Sequence, residues 1–135
     1  MSYELREEVP DPETFLALRE AAGLTPYSRK GVEQGLERTL FGVTVREATS
    51  KDIVGMGRVV GDGGCVFHIC DMAVLPSHQG QGLGTRIMDA ILAYIDDTAP
   101  PRAYVNLMAD VRGFYEKWGF EYTAPNSRGM AQWTS

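Results

Sequence analysis

The sequence contains few cysteines and histidines, which argues against a fold held together by disulfides or by a metal. Cys65 and Cys70 are its two cysteines, in 135 residues. If both lie on one strand, at about 3.3 Å per residue, their Cα atoms are about 16 Å apart, well beyond disulfide reach. The two histidines, His68 and His78, do not complete a zinc-binding spacing with them. We therefore expect two free thiols and no metal cofactor.

Long apolar runs and an excess of positive charge are also missing. No stretch approaches the ~18 apolar residues of a membrane span. The first eight residues, MSYELREE, lack the basic and apolar regions of a signal peptide. The formal net charge of −5 argues against a nucleic-acid or anionic-membrane surface. These features predict a cytoplasmic protein whose partners include neither nucleic acid nor membrane.

The amino-acid composition is typical of a folded globular domain. Hydrophobic residues make up 44% and charged residues 23%, close to the average of soluble globular proteins, so a disordered or coiled-coil class does not fit. A chain of this length can bury roughly two-thirds of its unfolded surface. No linker or internal repeat divides it, and we expect one domain over residues 1–135.

Apolar periodicity and turn residues predict the order βααβββαβαββ, a mixed α/β fold with a mostly antiparallel sheet. Ser28 is expected to cap the second helix and Asp110 the fourth, with Gly119 just past the end of the fourth. The expected strands cover residues 3–7, 40–47, 53–60, 65–75, 103–108, 120–123 and 130–133. The first expected helix begins near residue 11, and the other three cover residues 28–38, 82–97 and 110–118.

The most informative stretch is a glycine-rich turn between a strand and a helix, MAVLPSHQGQGLGTR over residues 72–86. Glycines let backbone N–H groups approach an anion, and a helix N-terminus adds a partial positive charge, so this turn favours a phosphate site. Thr85 and Arg86 stand where a P-loop needs Lys and Ser or Thr. The glycine spacing also differs from the dinucleotide fingerprint G-x-G-x-x-G, because no pair of glycines in the turn is followed by a third glycine three residues later. Both of these nucleotide folds are disfavoured.

Two motifs in this order resemble the GNAT N-acetyltransferase superfamily. One is Gln79-x-x-Gly82-x-Gly84 directly after a strand end, and the other is the run FYEKWGF over residues 114–120. Within that superfamily, ICDMAV over residues 69–74 and RGM over residues 128–130 resemble the small arylalkylamine (serotonin-type) branch. The resemblance covers most of the chain and implies acetyl-CoA as cosubstrate.

The resemblance also implies which residues hold the cosubstrate. The sheet would be splayed between the fourth and fifth strands, and the backbones of Met72 and Val74 would pair there with the pantetheine arm. Met108 stands where the family often has asparagine, which leaves a pantetheine contact from Asn106 or Asp110 without support. The pyrophosphate would be held by backbone N–H groups of Gln79, Gly80, Gln81, Gly82, Leu83, Gly84 and Thr85.

The implied reaction is direct attack of a neutral primary amine on the thioester. Tyr115, in the second motif, is the candidate acid for the departing thiolate. Asp71 is the first candidate for the base, although a carboxylate is a weak base unless burial raises its pKa. His68 is chemically better matched, and water is the third option. His68 and Asp71 point to opposite faces of a regular strand unless a bulge intervenes.

Two other functions remain open at this stage. One is a non-catalytic acyl-CoA-binding sensor, and the other is a transferase that acetylates protein lysines or N-termini. A small-molecule amine is favoured because the loop over residues 26–28 and several aromatic residues predict a closed apolar pocket; a homodimer is compatible with the sequence. Those aromatic residues are Phe41, Phe67, Tyr122 and Trp133.

Overall fold

The computed structural model describes residues 2–135 as one mixed sheet with helices on both faces. The sheet order is β1-β2-β3-β4-β5. The first four strands pair antiparallel with their neighbours, and β5 pairs parallel to β4, so the predicted mixed α/β class is confirmed. The strands are β1 (Tyr3–Arg6), β2 (Phe41–Glu47), β3 (Ile53–Gly61), β4 (Val66–Val74) and β5 (Tyr104–Leu107).

Three α-helices connect these strands, and a side chain caps the N-terminus of each of the first two. Helix α1 (Pro12–Ala21) begins after Asp11, whose Oδ1 accepts a hydrogen bond from the Thr14 N–H at 2.8 Å. Helix α2 (Arg29–Leu36) begins after Ser28, whose Oγ accepts from the Gly31 N–H at 3.0 Å, as predicted. Helix α3 (Leu83–Thr98) follows the glycine turn. Among residues 2–135, no helix combines the length and apolar character that crossing a membrane requires.

Each face of the sheet has its own apolar core. Helix α3 packs on one face, and α1 and α2 pack on the other. Burying one large apolar side chain contributes about 1.5–3 kcal/mol, so the two clusters fix both helix layers onto β3 and β4. Members of the α3 core include Val43, Val59, Phe67, Ile69, Ile87, Met88 and Ile91, and members of the other include Phe15, Leu18, Val32, Leu36, Met56 and Ala73.

Strand β4 contains a bulge at its centre. Arg58 pairs with Cys70 and Met56 with Ala73, so β4 has one more residue than β3 between these pairs. Asp71 lies in the bulge with a φ of 57°, in the left-handed region. Gly57 faces it from β3, where an added Cβ would lie 2.7 Å from both Ile87 Cγ2 and Met72 Sδ. The bulge brings Asp71 to the α1 side of the sheet.

The pairing between β4 and β5 ends halfway along β4. It runs from Val66 opposite Tyr104 to Ile69 opposite Leu107, whereas β4 continues to Val74. Residues 70–74 therefore present an edge to which β5 is not paired. This is the opening that was expected between the fourth and fifth strands.

The predictions for the C-terminal part are wrong in two respects. Residues 110–118 form no α-helix and Asp110 caps nothing; a 3₁₀ segment, Tyr115–Trp118, is found instead, after Gly113 adopts a φ of 75°. Gly119 ends that segment in the left-handed conformation, as predicted. The expected strands over residues 120–123 and 130–133 are also absent: no residue after Leu107 pairs with the sheet.

Candidate active site

A cavity of about 810 Å³ opens where β4 loses its pairing with β5. Its walls come from α1 and the following loop, from β4, from the glycine turn with the start of α3, and from residues 107–115. Of the aromatic residues expected in a pocket, Tyr27 and Trp133 line this cavity. Phe67 is fully buried in the core, and Phe41 stacks on Tyr94 with ring centroids 4.5 Å apart.

The glycine turn leaves open space beside the first turn of α3. Gly80 and Gly82 have φ values of 80° and 78°, which only glycine adopts easily, and a Cβ at either would meet nothing within 4 Å. Gly82 is the N-cap of α3 and has no side chain with which to cap it. The first N–H groups of a helix have no intrahelical acceptor, so this sixteen-residue helix points free donors and a positive dipole end at the turn.

Two contacts place this turn against neighbouring elements. The Gln79 side-chain amide donates to the Val74 carbonyl at 3.0 Å, which ties the turn to the end of β4. A Cβ on Gly84 would lie 3.3 Å from Phe114 Cζ, so the second motif packs directly on the start of α3. Six of the seven turn residues named from the sequence line the cavity, as do Met72 and Val74, whereas Gln81 is exposed outside it.

Asp71 is buried between two arginines. Its carboxylate oxygens accept hydrogen bonds from Arg19 Nη1 and Arg58 Nε, each at 2.6 Å, and its side chain is 1% exposed. Arg19 also donates to the Thr25 carbonyl, and Arg58 donates to Thr39 Oγ1 at 3.0 Å. Both oxygens are thus already engaged by cations. The network connects the bulge to α1, to the loop after α1, and to the region that follows α2.

Sequence reasoning missed both arginines. The available signal was Arg19, four residues after Phe15 on the face of α1 that packs against the sheet. A cation at a buried helical position requires a buried partner, and Asp71 is that partner.

His68 faces the same cavity, because the bulge removes the expected opposition between His68 and Asp71. His68 Nδ1 lies 2.6 Å from Asn106 Oδ1, its partner in the parallel register between β4 and β5. With the amide oxygen facing the ring, Nδ1–H is the donor of this contact, and Nε2 takes no part in it. The family resemblance left a contact of Asn106 with the pantetheine arm without support; in the structure Asn106 contacts the histidine.

Tyr115 lines the cavity although the predicted helix is missing. Its residue surface is 8% exposed, and burial raises the pKa of its phenol, with the Asp110 carboxylate adding to the rise. The segment is held on α3 by Lys117 Nζ, which donates to Thr85 Oγ1 at 3.0 Å, and by Trp118 Nε1, which donates to Asp89 Oδ1 at 2.9 Å. These anchors place Tyr115 in the cavity wall without the helix that the sequence predicts.

The cysteines are free, as expected: Cys65 is exposed and Cys70 is half-buried in the cavity wall. Burial raises the pKa of the Cys70 thiol to about 12, and the neighbouring Asp71 carboxylate adds to this. A thiol with this pKa stays protonated at neutral pH and is a poor nucleophile. Within residues 2–135, no cluster of three or more histidine, cysteine or acidic side chains could hold a metal ion.

Comparisons with known proteins identify the family of this chain. A family model described as an acetyltransferase (GNAT) domain matches residues 38–122. A probable acetyltransferase of unknown function from methicillin-resistant Staphylococcus aureus is 41% identical, with a TM-score of 0.92 over 98% of this chain and 100% of that one. A GNAT family acetyltransferase from Streptococcus pneumoniae is 26% identical, with a TM-score of 0.78 over 99% and 98% of the two chains.

A more distant relative shows the same fold with the cosubstrate bound. It is a GNAT family acetyltransferase from Brucella melitensis in complex with acetyl-CoA, 20% identical, with a TM-score of 0.67 over 89% of this chain and 83% of that one. The family match covers both the glycine turn and the segment with Tyr115. The chain therefore belongs to the GNAT acetyltransferase family and is an acyltransferase that uses acetyl-CoA.

Proposed function

We propose that this acetyltransferase transfers the acetyl group to the primary amine of a small molecule, of the arylalkylamine type, by direct attack of the amine. The observation that carries the proposal is a single cavity. It joins the glycine turn and the unpaired edge of β4 to His68, to Tyr115 and to a wall with two aromatic rings. The cytoplasmic location and the homodimer stay predictions.

The residues present fit acetyl-CoA. The open space beside Gly80 and Gly82, together with the uncapped N-terminus of α3, suits a pyrophosphate. The edge of β4 at Met72 and Val74, to which β5 does not pair, suits the pantetheine arm, which can pair with it as a strand would. The Val74 carbonyl at this edge also accepts the hydrogen bond from Gln79. Bound there, acetyl-CoA supplies the activated acetyl thioester. The chain's own residues must then orient the amine and manage two protons.

The first proton comes from the amine. A primary alkylamine has a pKa near that of lysine, about 10.4, so on the order of one molecule in a few thousand is neutral at pH 7. We propose His68 Nε2 as the acceptor of this proton, directly or through water. Asn106 supports this role, because its contact with Nδ1 holds the ring and leaves Nε2 as the basic nitrogen.

Asp71, the first candidate for the base on sequence grounds, receives a positioning role in this proposal. Its two oxygens already accept hydrogen bonds from Arg19 and Arg58, so the carboxylate is engaged in holding these two side chains. Asp71 holds the bulge of β4 and, through Arg19, the loop that forms one cavity wall.

The second proton is the one that the nitrogen still has to lose after it has attacked, and it ends on the sulfur as the C–S bond breaks. Tyr115 is proposed to pass this proton on: the phenol donates its own proton to the departing thiolate and is reprotonated, directly or through water, by the proton from the nitrogen. The phenol lines the cavity, and its raised pKa keeps it protonated at and above neutral pH. A neutral phenol donates a hydrogen bond to the developing thiolate. A thiol is a weaker acid than a carboxyl group, so the departing thiolate needs this support.

A panel of acceptors tests the proposed function. Purified protein is incubated with acetyl-CoA and arylalkylamines, polyamines, amino sugars or peptides; free thiol is measured against time and products are identified by mass spectrometry. We expect acetylated arylalkylamine. Binding of acetyl-CoA without turnover of any acceptor would instead indicate a sensor, and turnover of peptides alone would indicate a protein-directed transferase.

Replacing Gly82 with valine should weaken acetyl-CoA binding at least tenfold, because a side chain then fills the space where the helix N–H groups meet the pyrophosphate. Gly63→Val is a matched control, since its φ of 77° in the β3–β4 turn imposes similar backbone strain away from the cavity. Each variant should lose about 1–3 kcal/mol of stability. Calorimetry showing equal acetyl-CoA affinities for the two variants would contradict the assignment.

Direct attack requires no acyl-cysteine, so Cys70 should be inert. At pH 8 a thiol with a pKa of about 12 is ionised in roughly one molecule in ten thousand, so iodoacetamide should modify Cys65 and spare Cys70 until the protein is denatured. Peptide mass spectrometry reports both sites. Cys70→Ser should retain activity within about threefold of wild type. An acetylated Cys70 trapped during turnover would overturn the direct mechanism.

A further inference from the structure

Exposed apolar side chains concentrate in the wall of the cavity. Within residues 2–135, eight large apolar side chains are exposed, and four of them line this one cavity. Exposed apolar groups that meet in a concave site mark a surface that a ligand covers. The four are Tyr27, Met108, Val111 and Trp133.

Two of these residues belong to a stack that starts at the bulge of β4. The Arg19 guanidinium, paired with Asp71, lies 4.0 Å from the centroid of the Tyr27 ring. Tyr27 packs in turn against Trp133, with ring centroids 5.9 Å apart and ring planes 44° apart. We call Arg19, Tyr27 and Trp133 the aromatic stack. It joins α1, the loop after α1 and the end of the chain into one wall.

Charge in this wall selects against an anionic acceptor. Among the described residues, no lysine lines the cavity, and Arg19 is the one arginine that does. The two terminal nitrogens of Arg19 are taken by Asp71 and by the Thr25 carbonyl, and its Nε is buried. A phosphate or carboxylate on the acceptor would find no available cation there. An apolar ring would find the indole of Trp133, which remains 63% exposed.

We propose that Trp133 determines acceptor specificity: its indole packs against the planar apolar group that carries the reacting amine. The proposal rests on the proposed transfer to a small amine and adds the residue that selects that amine. Tyr27 and Arg19 hold the indole in place, so they are positioning residues. Acceptors that lack a ring lose this contact and are selected against.

The experiment compares 2-phenylethylamine with n-hexylamine in wild type, Trp133→Ala, Trp133→Phe and Met130→Ala. Loss of the indole should lower kcat/KM for 2-phenylethylamine about tenfold or more, mainly through KM, with less than about a threefold effect for n-hexylamine. Trp133→Phe should restore most of the preference. Met130 lies in the same terminal segment, is 96% exposed and does not line the cavity, so its variant should behave as wild type.

A binding measurement separates this proposal from the proposed function. Tryptophan fluorescence of the protein loaded with CoA should change on titration with 2-phenylethylamine, and this change should be lost in Trp133→Phe. A ring preference in binding without turnover of any amine would support the wall and contradict the function. Equal effects of Trp133→Ala on both amines, or no effect on either, would overturn the role of Trp133.

Discussion

Replacing Tyr115 with phenylalanine should lower the single-turnover rate of acetyl transfer roughly 100-fold or more, the usual range for a positioned acid. The phenol lines the cavity and the residue is 8% exposed, so the substitution keeps the packing of the ring, including its edge-on contact with Phe114 at 5.0 Å. Only the donor is removed. Rapid-quench measurement of the first turnover is the appropriate experiment, because slow product release would hide part of the loss in kcat.

Two controls make this result specific. Acetyl-CoA affinity and thermal stability of Tyr115→Phe should match wild type, since neither depends on the hydroxyl. Tyr122→Phe removes a phenol that is 64% exposed and outside the cavity, and should leave the rate unchanged. A first turnover within a factor of two of wild type in Tyr115→Phe would make Tyr115 a packing residue.

The raised pKa of Tyr115 adds a test in pH. Burial disfavours the phenolate, so the donor form persists above the ordinary tyrosine value of about 10. Because the folded pKa is above the unfolded one, the associated stability is present below the unfolded pKa and is lost as pH rises through the folded one. The wild-type rate should fall in that alkaline range, and the residual rate of Tyr115→Phe should lack this fall.

The parts of the fold that the sequence predicted well are those governed by local chemistry. Ser28 caps α2 because a hydroxyl there satisfies a free N–H, and this depends on a few residues only. The sequence predicted the glycine turn for the same reason, because Gly80 and Gly82 adopt backbone conformations that other residues avoid. The apolar stripe of α3 likewise matches its buried face.

The parts that the sequence predicted poorly depend on distant partners. Residues 130–133 are predicted as a strand, but a strand forms only where it pairs with a neighbour, and Trp133 packs on Tyr27 instead. The bulge of β4 arises from Gly57 on β3 and from two arginines that meet Asp71 from 52 and 13 positions away along the chain. No local pattern contains these pairings. They decide which side chains face the cavity.

That geometry reverses the ranking of the two bases. Sequence alone predicts a larger loss of rate for Asp71→Asn than for His68→Gln, whereas the contacts of Asp71 with Arg19 and Arg58 lead us to expect the opposite. His68→Gln should lower the single-turnover rate by roughly 100-fold, because the amide keeps a polar group beside Asn106 but offers no basic nitrogen. Asn106→Ala, which frees the ring, should cause a smaller loss that stronger buffer bases partly relieve.

Asp71→Asn should act through structure. It removes the charge from a carboxylate that is 1% exposed and leaves two buried guanidinium groups unbalanced, which costs about 3–5 kcal/mol when a buried pair is broken. The loop after α1 should loosen, so acceptor KM should rise while acetyl-CoA affinity is kept. The first turnover at saturating acceptor separates the two roles. There the rate of folded Asp71→Asn should approach that of wild type, whereas the rate of His68→Gln should stay low. The reverse pattern would make Asp71 the base and His68 a residue that shapes the pocket.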